Sequence, residues 1–119
     1  MIGGICLNDK SQLLRGTLEG CILKIISDGE TYGYEIVSKL REYGFTDSTE
    51  GTIYPLLTRL EKKDILKSVK KESPLGPQRK YYSLSEQGAR ELKIFYSNWV
   101  EFKDIVDKIF INYGGDIDE

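Results

Sequence analysis

The 119-residue chain has 39% hydrophobic and 30% charged residues and a net charge of −2, which suits one domain with a buried core, or a small domain with a helical extension. It contains no histidine, which excludes Ser-His and Cys-His nucleophile pairs and histidine metal sites. The spacing of Cys6 and Cys21 fits neither a metal site nor a disulfide framework, and no phosphate-binding glycine motif occurs, so we expect no enzyme, no metal and no cofactor.

Apolar runs are short along the whole chain, and charged residues interrupt each of them within a few positions. They fall far below the roughly 20 apolar residues that a membrane-spanning helix requires. The first apolar residues lead into Asn8, Asp9 and Lys10 rather than into the core of a signal peptide. We therefore expect a soluble, cytoplasmic protein with no membrane partner.

The first half of the chain predicts three helices. The first helix, of about four turns, is indicated by apolar residues at three- and four-residue spacing, at Leu14, Leu18, Cys21, Ile22, Ile25 and Ile26. Thr31 is a candidate N-cap for the second helix, which should stop at Tyr43 and Gly44. Residues 47–49 offer cap oxygens for a third helix that runs to about Lys63, with Pro55 in or near its first turn.

The second half predicts a hairpin and one long helix. Asp64 stands where glycine often ends a helix, residues 65–72 indicate a strand, residues 73–77 a turn, and residues 79–84 the returning strand. Ser85 is the expected N-cap of the last helix. The predicted fold class is mainly α with a small β hairpin, a winged helix-turn-helix plus a long C-terminal helix. We expect residues 1–84 to form this winged helix-turn-helix domain and residues 85–119 the C-terminal helix and a short tail.

The last helix carries an apolar seam with the spacing of a coiled coil. Alternating steps of three and four residues separate Leu92, Phe95, Trp99, Phe102, Val106 and Ile109. A heptad seam of this length favours pairing with the same helix of a second chain, and twofold dimers are the commonest oligomers. The alternative is that this helix folds back on its own domain.

The middle third of the chain is the basic part. Residues 50–82 hold eight basic and four acidic groups, a local charge of +4, against −2 for residues 1–49 and −4 for residues 83–119. Phosphate responds to this local field rather than to the net charge.

A helix that can enter a groove, followed by a charged two-stranded wing, is suited to duplex DNA. Thr52 and Tyr54 fall near the N-terminal end of the third helix, which usually approaches base edges in such proteins. The basic residues should serve phosphates from the rest of this helix and from the wing: Arg59, Lys62, Lys63, Lys67, Lys70, Lys71, Arg79 and Lys80. The alternatives are that Tyr54 covers the core and that the lysines are only solvated, as in a winged-helix module for protein–protein interaction without specific DNA binding.

Several of these motifs together resemble the PadR-like transcriptional regulators, specifically the short members with a single C-terminal helix. The resemblance covers nearly the whole chain and rests on four stretches: Leu14-Arg15-Gly16, Tyr32-Gly33-Tyr34-Glu35-Ile36, residues 50–61 beginning Glu50-Gly51-Thr52, and Arg79-Lys80-Tyr81-Tyr82-Ser83-Leu84-Ser85 with Gly88. The sequence departs from the usual family pattern at Asp64, where glycine is common, and at Ser85, where threonine is the commoner cap.

This resemblance implies a homodimer that binds a pseudo-palindromic operator and usually represses. It implies pairing chiefly through the C-terminal and first helices, so that Leu14 and Leu18 join the seam residues in dimerisation. By position, Tyr34, Thr52, Tyr54 and the wing basics match the DNA-facing places of the family. Trp99, with Phe95 and Phe102, resembles the aromatic group that binds planar effectors at the dimer centre of some short members. The alternative is that Trp99 is only a seam residue.

Overall fold

The computed structural model describes residues 16–114, which form helices and strands in the predicted order. The elements are α1 Leu18–Ser27, β1 Thr31–Tyr32, α2 Gly33–Tyr43, α3 Glu50–Lys62, β2 Leu66–Ser73, β3 Gly76–Leu84 and α4 Glu86–Ile109. The prediction of a mainly helical winged helix-turn-helix with a long last helix is confirmed. Leu14, which the sequence analysis places in the first helix and in the dimer interface, lies outside the described residues.

The sheet has a third strand that the sequence analysis did not predict. β1 pairs antiparallel with β3, Thr31 opposite Tyr82 and Tyr32 opposite Tyr81, so the strand order is β1-β3-β2. The N-cap of α2 is therefore Tyr32, and the prediction that Thr31 caps this helix is wrong. Thr31 is buried in the short strand, and its hydroxyl donates a hydrogen bond to the Glu35 carboxylate instead.

The core is formed where α1, α2 and α3 meet the base of the sheet. Its largest fully buried side chains are Ile22, Ile36, Leu40, Ile53 and Leu57. They lie at helical spacing on the inner faces of their helices, and each buried aliphatic side chain contributes about 1.5–3 kcal/mol of transfer free energy.

Helix α3 is bounded by local backbone chemistry at both ends. Thr49 caps its start by accepting a hydrogen bond from the Thr52 amide at 3.3 Å. At its end, the Ile65 amide donates to the Leu60 carbonyl and the Asp64 amide to the Glu61 carbonyl, both at 3.0 Å, while Asp64 adopts a φ of +63°. This is the left-handed turn that usually holds glycine, as its sequence position predicts.

Pro55 was predicted in or near the first turn of α3 and is the sixth residue of this helix, just beyond that turn. It therefore lies where an amide would otherwise bond the carbonyl four residues earlier. The predicted five-residue turn is too long. Ser73 pairs with Gly76, which leaves only Pro74 and Leu75 between the strands, and a register shift between Lys71 and Ser73 absorbs the irregularity.

The wing is tied to α3 by one carboxylate. Glu61 accepts hydrogen bonds from the Ser68 hydroxyl on β2 at 2.5 Å and from Lys80 Nζ on β3 at 2.8 Å. Both bonds, first that from Lys80, hold the pKa of Glu61 below its ordinary value.

The start of α4 is packed against the end of α3. The Ser85 hydroxyl donates to the Asp64 and Ile65 carbonyls and accepts from the Gly88 amide at 2.9 Å, which confirms Ser85 as the N-cap. Gly88 is buried against the Ile65 carbonyl. One turn beyond Leu92, the Phe95 ring packs on Gly20 of α1, and from Tyr96 to the end of the described chain every residue is exposed. The described chain is correspondingly long, 54 × 28 × 27 Å.

We expect Gly88→Ala to destabilise the protein, although alanine is the better helix former. A Cβ at this position would lie 2.2 Å from the Ile65 carbonyl oxygen, so the backbone of α4 or of the turn must shift. Such overpacking costs about 1–3 kcal/mol. Gly51→Ala is the matched control, since its nearest neighbour would be Thr49 Oγ1 at 3.8 Å, and there we expect a gain of up to about 1 kcal/mol. Urea unfolding at one protein concentration measures both; equal effects would contradict the packing argument.

The Glu61–Lys80 ion pair predicts a pH dependence of stability. Because the folded-state pKa of Glu61 lies below the ordinary 4.5, its contribution is complete above that pH and is lost as the pH falls through the folded pKa. The pair is partly exposed, so the contribution should stay below about 1 kcal/mol. The free energy of unfolding of the parent minus that of Glu61→Gln should therefore be positive at neutral pH and shrink at acid pH. A difference that grows on acidification would be inconsistent with this pair.

Candidate nucleic-acid interface

The N-terminal end of α3 carries Thr52, the predicted base-edge contact, in a closed capping arrangement. The Thr52 hydroxyl donates to the Thr49 carbonyl at 2.9 Å and accepts from the Thr49 amide at 3.2 Å. The two threonines thus satisfy one another in a capping box. Thr52 is exposed, but its hydroxyl already has a donor and an acceptor within the chain.

Tyr54 links the N-terminal ends of α2 and α3. Its ring lies on Gly33, where an added Cβ would be 2.5 Å from Tyr54 Cε1, so only glycine leaves room for it. Its hydroxyl donates to Glu50 Oε2 at 3.2 Å, and burial, followed by this hydrogen bond, raises the pKa of Tyr54. The residue is still 43% exposed, so it both covers the helix junction and reaches the surface.

Tyr34 lies beside this junction. It is the second residue of α2, directly after the glycine on which Tyr54 packs, and it is 61% exposed. No side-chain hydrogen bond caps this end of α2. The structure therefore brings Tyr34, Thr52 and Tyr54, three of the predicted DNA-binding residues, to neighbouring helix ends.

Half of the eight predicted basic contacts are engaged within the chain. Arg59 pairs with Glu19 of α1, Lys71 pairs with Glu30, and Lys80 pairs with Glu61. The Arg79 guanidinium lies 4.5 Å from the centre of the Tyr32 ring, and the Lys71 ammonium 5.0 Å from that of Tyr81. The ring centres of Tyr32 and Tyr81 are 5.2 Å apart, across the pair of strands β1 and β3.

The other half are exposed and form no ion pair with any residue between 16 and 114. They are Lys62 and Lys63 at the end of α3, and Lys67 and Lys70 on β2. Lys70 stands directly opposite Lys80, so one of two facing lysines is neutralised by Glu61 and the other is not. Within the described chain these four lysines form the part of the basic surface that is open to phosphate.

Three further residues contribute to this surface that were not predicted from the sequence, namely Tyr32, Glu50 and Glu61. Glu50 lies four residues before Tyr54, a spacing that brings side chains together on a helix and could have indicated its role. The partners of Glu61 and Tyr32 lie far along the chain, and no local pattern marks them.

The predicted dimerisation residues divide into two groups. Leu18 and Leu92 are partly buried against the core, and Phe95 packs on Gly20. Trp99 and Val106 are each 39% exposed, and Phe102 and Ile109 are more exposed still. The first part of the seam thus packs against its own domain, and the rest of the seam is exposed.

An open apolar groove lies between α1, the end of α2 and α4. It has a volume of about 1130 Å³, and its lining includes Gly20, Cys21, Tyr43, Phe95 and Trp99. Burial raises the pKa of the Cys21 thiol, so this group is neutral and behaves as a small apolar side chain. Of the three residues predicted to bind an effector, Phe95 and Trp99 line the groove, and Phe102 lies beyond it on α4.

Between residues 16 and 114, no helix has both the length and the apolar composition that crossing a bilayer would require.

Comparison with known proteins places this geometry in a family. The sequence model of the Transcriptional regulator PadR-like family matches residues 22–94. A PadR-like transcriptional regulator from Bacillus cereus strain ATCC 14579 is 45% identical, covers 83% of this chain and 96% of its own, and superposes with a TM-score of 0.76. A Streptococcus transcriptional regulator is 46% identical, covers 82% of this chain and 96% of its own, and superposes with a TM-score of 0.75.

A curated relative extends the similarity. An uncharacterized protein of Lysinibacillus sphaericus is 33% identical over 100 residues, covering 82% of this chain and 92% of its own. The family is one of transcriptional regulators and not of enzymes. Because its model matches more than half of the sequence, the chain belongs to the PadR-like family of transcriptional regulators.

Proposed function

We propose that this protein is a sequence-specific repressor that acts as a homodimer on a pseudo-palindromic operator in the cytoplasm. The proposal rests on one observation, that the chain exposes two different surfaces. The first consists of the N-terminal ends of α2 and α3 together with the unpaired lysines of α3 and β2. The second is the apolar second half of α4. The first suits DNA phosphates and base edges, and the second suits another copy of the same helix.

The second half of α4 supports the dimer. From Trp99 onward it exposes six large apolar side chains before its last turn ends, namely Trp99, Val100, Phe102, Ile105, Val106 and Ile109. Monomeric soluble proteins rarely leave a continuous apolar face of this kind open to water. Pairing two such helices about a twofold axis would bury both seams.

The dimer would set the spacing of the two recognition helices. Two half-sites in successive major grooves are about 34 Å apart, so both α3 helices can bind only if α4 crosses its partner at the right angle. A ligand that binds two crossing angles with different affinity would change DNA affinity by linkage. Trp99 and Phe95, which line the apolar groove, support a planar aromatic molecule as that ligand.

A winged helix that contacts only proteins is the alternative, and the salt dependence of DNA binding separates the two. We expect Lys70→Ala to weaken binding to all duplexes and to reduce the slope of log K against log salt by about one unit, because one phosphate contact is lost. Lys80→Ala is the matched control on the facing strand. Its charge is already paired with Glu61, so its slope should stay at the parent value. Titration of a labelled duplex at several salt concentrations measures both, and a Lys70→Ala slope equal to that of the parent would exclude Lys70 as a phosphate contact.

The dimer proposal is tested at Val106, the fifth of the six seam residues. Val106→Asp should convert the protein to monomers, because an unpaired carboxylate would be buried at the helix contact. Asp104→Val is a control of opposite chemistry at an exposed α4 position outside the predicted seam, and it should leave the dimer intact. Sedimentation equilibrium gives the mass of each. A Val106→Asp variant that keeps the parent's dimer dissociation constant would place the contact elsewhere.

A further inference from the structure

The first turns of α3 offer DNA a hydrogen-bond acceptor rather than a donor. The hydroxyls of Thr49 and Thr52 are held in the capping box, and Gly51, Ile53 and Pro55 have no polar side chain. The Tyr54 hydroxyl donates its proton to Glu50. The exposed carboxylate of Glu50 is therefore the polar group left open at the end of the helix that usually meets base edges.

Tyr54 holds this carboxylate in place. Its ring is fixed against Gly33, and its hydroxyl binds Oε2 of Glu50, which leaves Oε1 without a hydrogen bond to any residue between 16 and 114. A side chain held by a second residue loses less rotational freedom on binding. Glu50 is thus a partly oriented acceptor in the first turn of α3.

The base edges of the major groove differ in their response to such an acceptor. Cytosine presents only the N4 amino donor, adenine presents a donor beside the N7 acceptor, and guanine and thymine present acceptors that repel a carboxylate. On the proposed DNA-binding function, we infer that Glu50 reads the operator and selects a C·G base pair in each half-site, with Tyr54 as its positioning residue.

The same charge weakens binding to every other sequence. A carboxylate brought close to phosphates and to acceptor edges is repelled unless a donor meets it, so Glu50 discriminates partly by penalising wrong sites. Its removal should therefore raise affinity for unrelated DNA while it lowers selectivity. Replacement of a residue that only stabilised the helix end would leave the preferred base unchanged, so the change of base is the readout that identifies base reading.

The test is selection from a pool of duplexes with a randomised centre of about 20 base pairs, at about 150 mM salt, where non-specific binding is suppressed. The parent should enrich a two-part motif with a fixed C·G pair in each half. Exchange of that pair for T·A should weaken binding about 5- to 140-fold, the range of one good base contact. Glu50→Gln should enrich A·T there, because glutamine pairs with adenine N6 and N7. Its affinity for a scrambled duplex should rise.

Two further variants separate base reading from folding. Glu86→Gln removes the equivalent first-turn charge of α4 and should keep the parent motif and preference. Tyr54→Phe keeps the ring but not the hydrogen bond, and should retain the preference for cytosine with a smaller ratio. Circular dichroism melting of each variant reports whether it is folded.

The outcomes distinguish this inference from the function on which it rests. A parent that enriches no motif would overturn specific DNA binding and the role of Glu50 with it. A parent that enriches a motif which folded Glu50→Gln also enriches, with the same base at every position, would overturn the role of Glu50 alone.

Discussion

The close contact between Gly88 and the Ile65 carbonyl fixes how the long helix leaves the domain. Ile65 stands at the junction of α3 and β2, and Ser85 joins β3 to α4, so the Ser85 hydrogen bonds bring all four elements to one point. A buried carbonyl and a helix backbone can approach this closely only where no side chain intervenes. The direction of α4 relative to α3 is therefore set by backbone contacts rather than by flexible side chains. Any dimer formed through α4 inherits that direction.

The charge of the middle third is smaller at the surface than the sequence suggests. Of its eight cations, Arg59, Lys71 and Lys80 are paired with carboxylates from α1, the loop before β1 and α3. These pairs tie the wing and α3 to the rest of the domain, and exposed ion pairs of this kind add little stability on their own. Their effect is to select which cations remain open, namely the lysines at the end of α3 and along β2. The unpaired positive charge of this region is thus found at the end of α3 and along β2.

The elements that depend on near neighbours in sequence were predictable, and those that depend on distant ones were not. The caps at Thr49 and Ser85 and the left-handed turn at Asp64 each follow from residue types within four positions. β1 has only two residues, and its strand character comes from pairing with Tyr81 and Tyr82 some fifty positions later. The seam of α4 shows the same limit. Its spacing predicts an apolar stripe but does not show which surface covers that stripe. Gly20 of α1 leaves space for the Phe95 ring, so the first part of the stripe packs against the same chain.

This division of the seam bears on how the protein could respond to a ligand. Leu92 and Phe95 pack against their own domain. Trp99 lies one turn further along α4, where the helix extends away from the domain core. In the proposed dimer, Trp99 is therefore the first exposed residue of the seam, and its surroundings would depend on the partner helix. A planar molecule placed there can change the crossing of the two helices without disturbing the core beneath Phe95. Because the α4 direction is fixed at Gly88, such a change must pass to the recognition helices as a rigid movement of each domain.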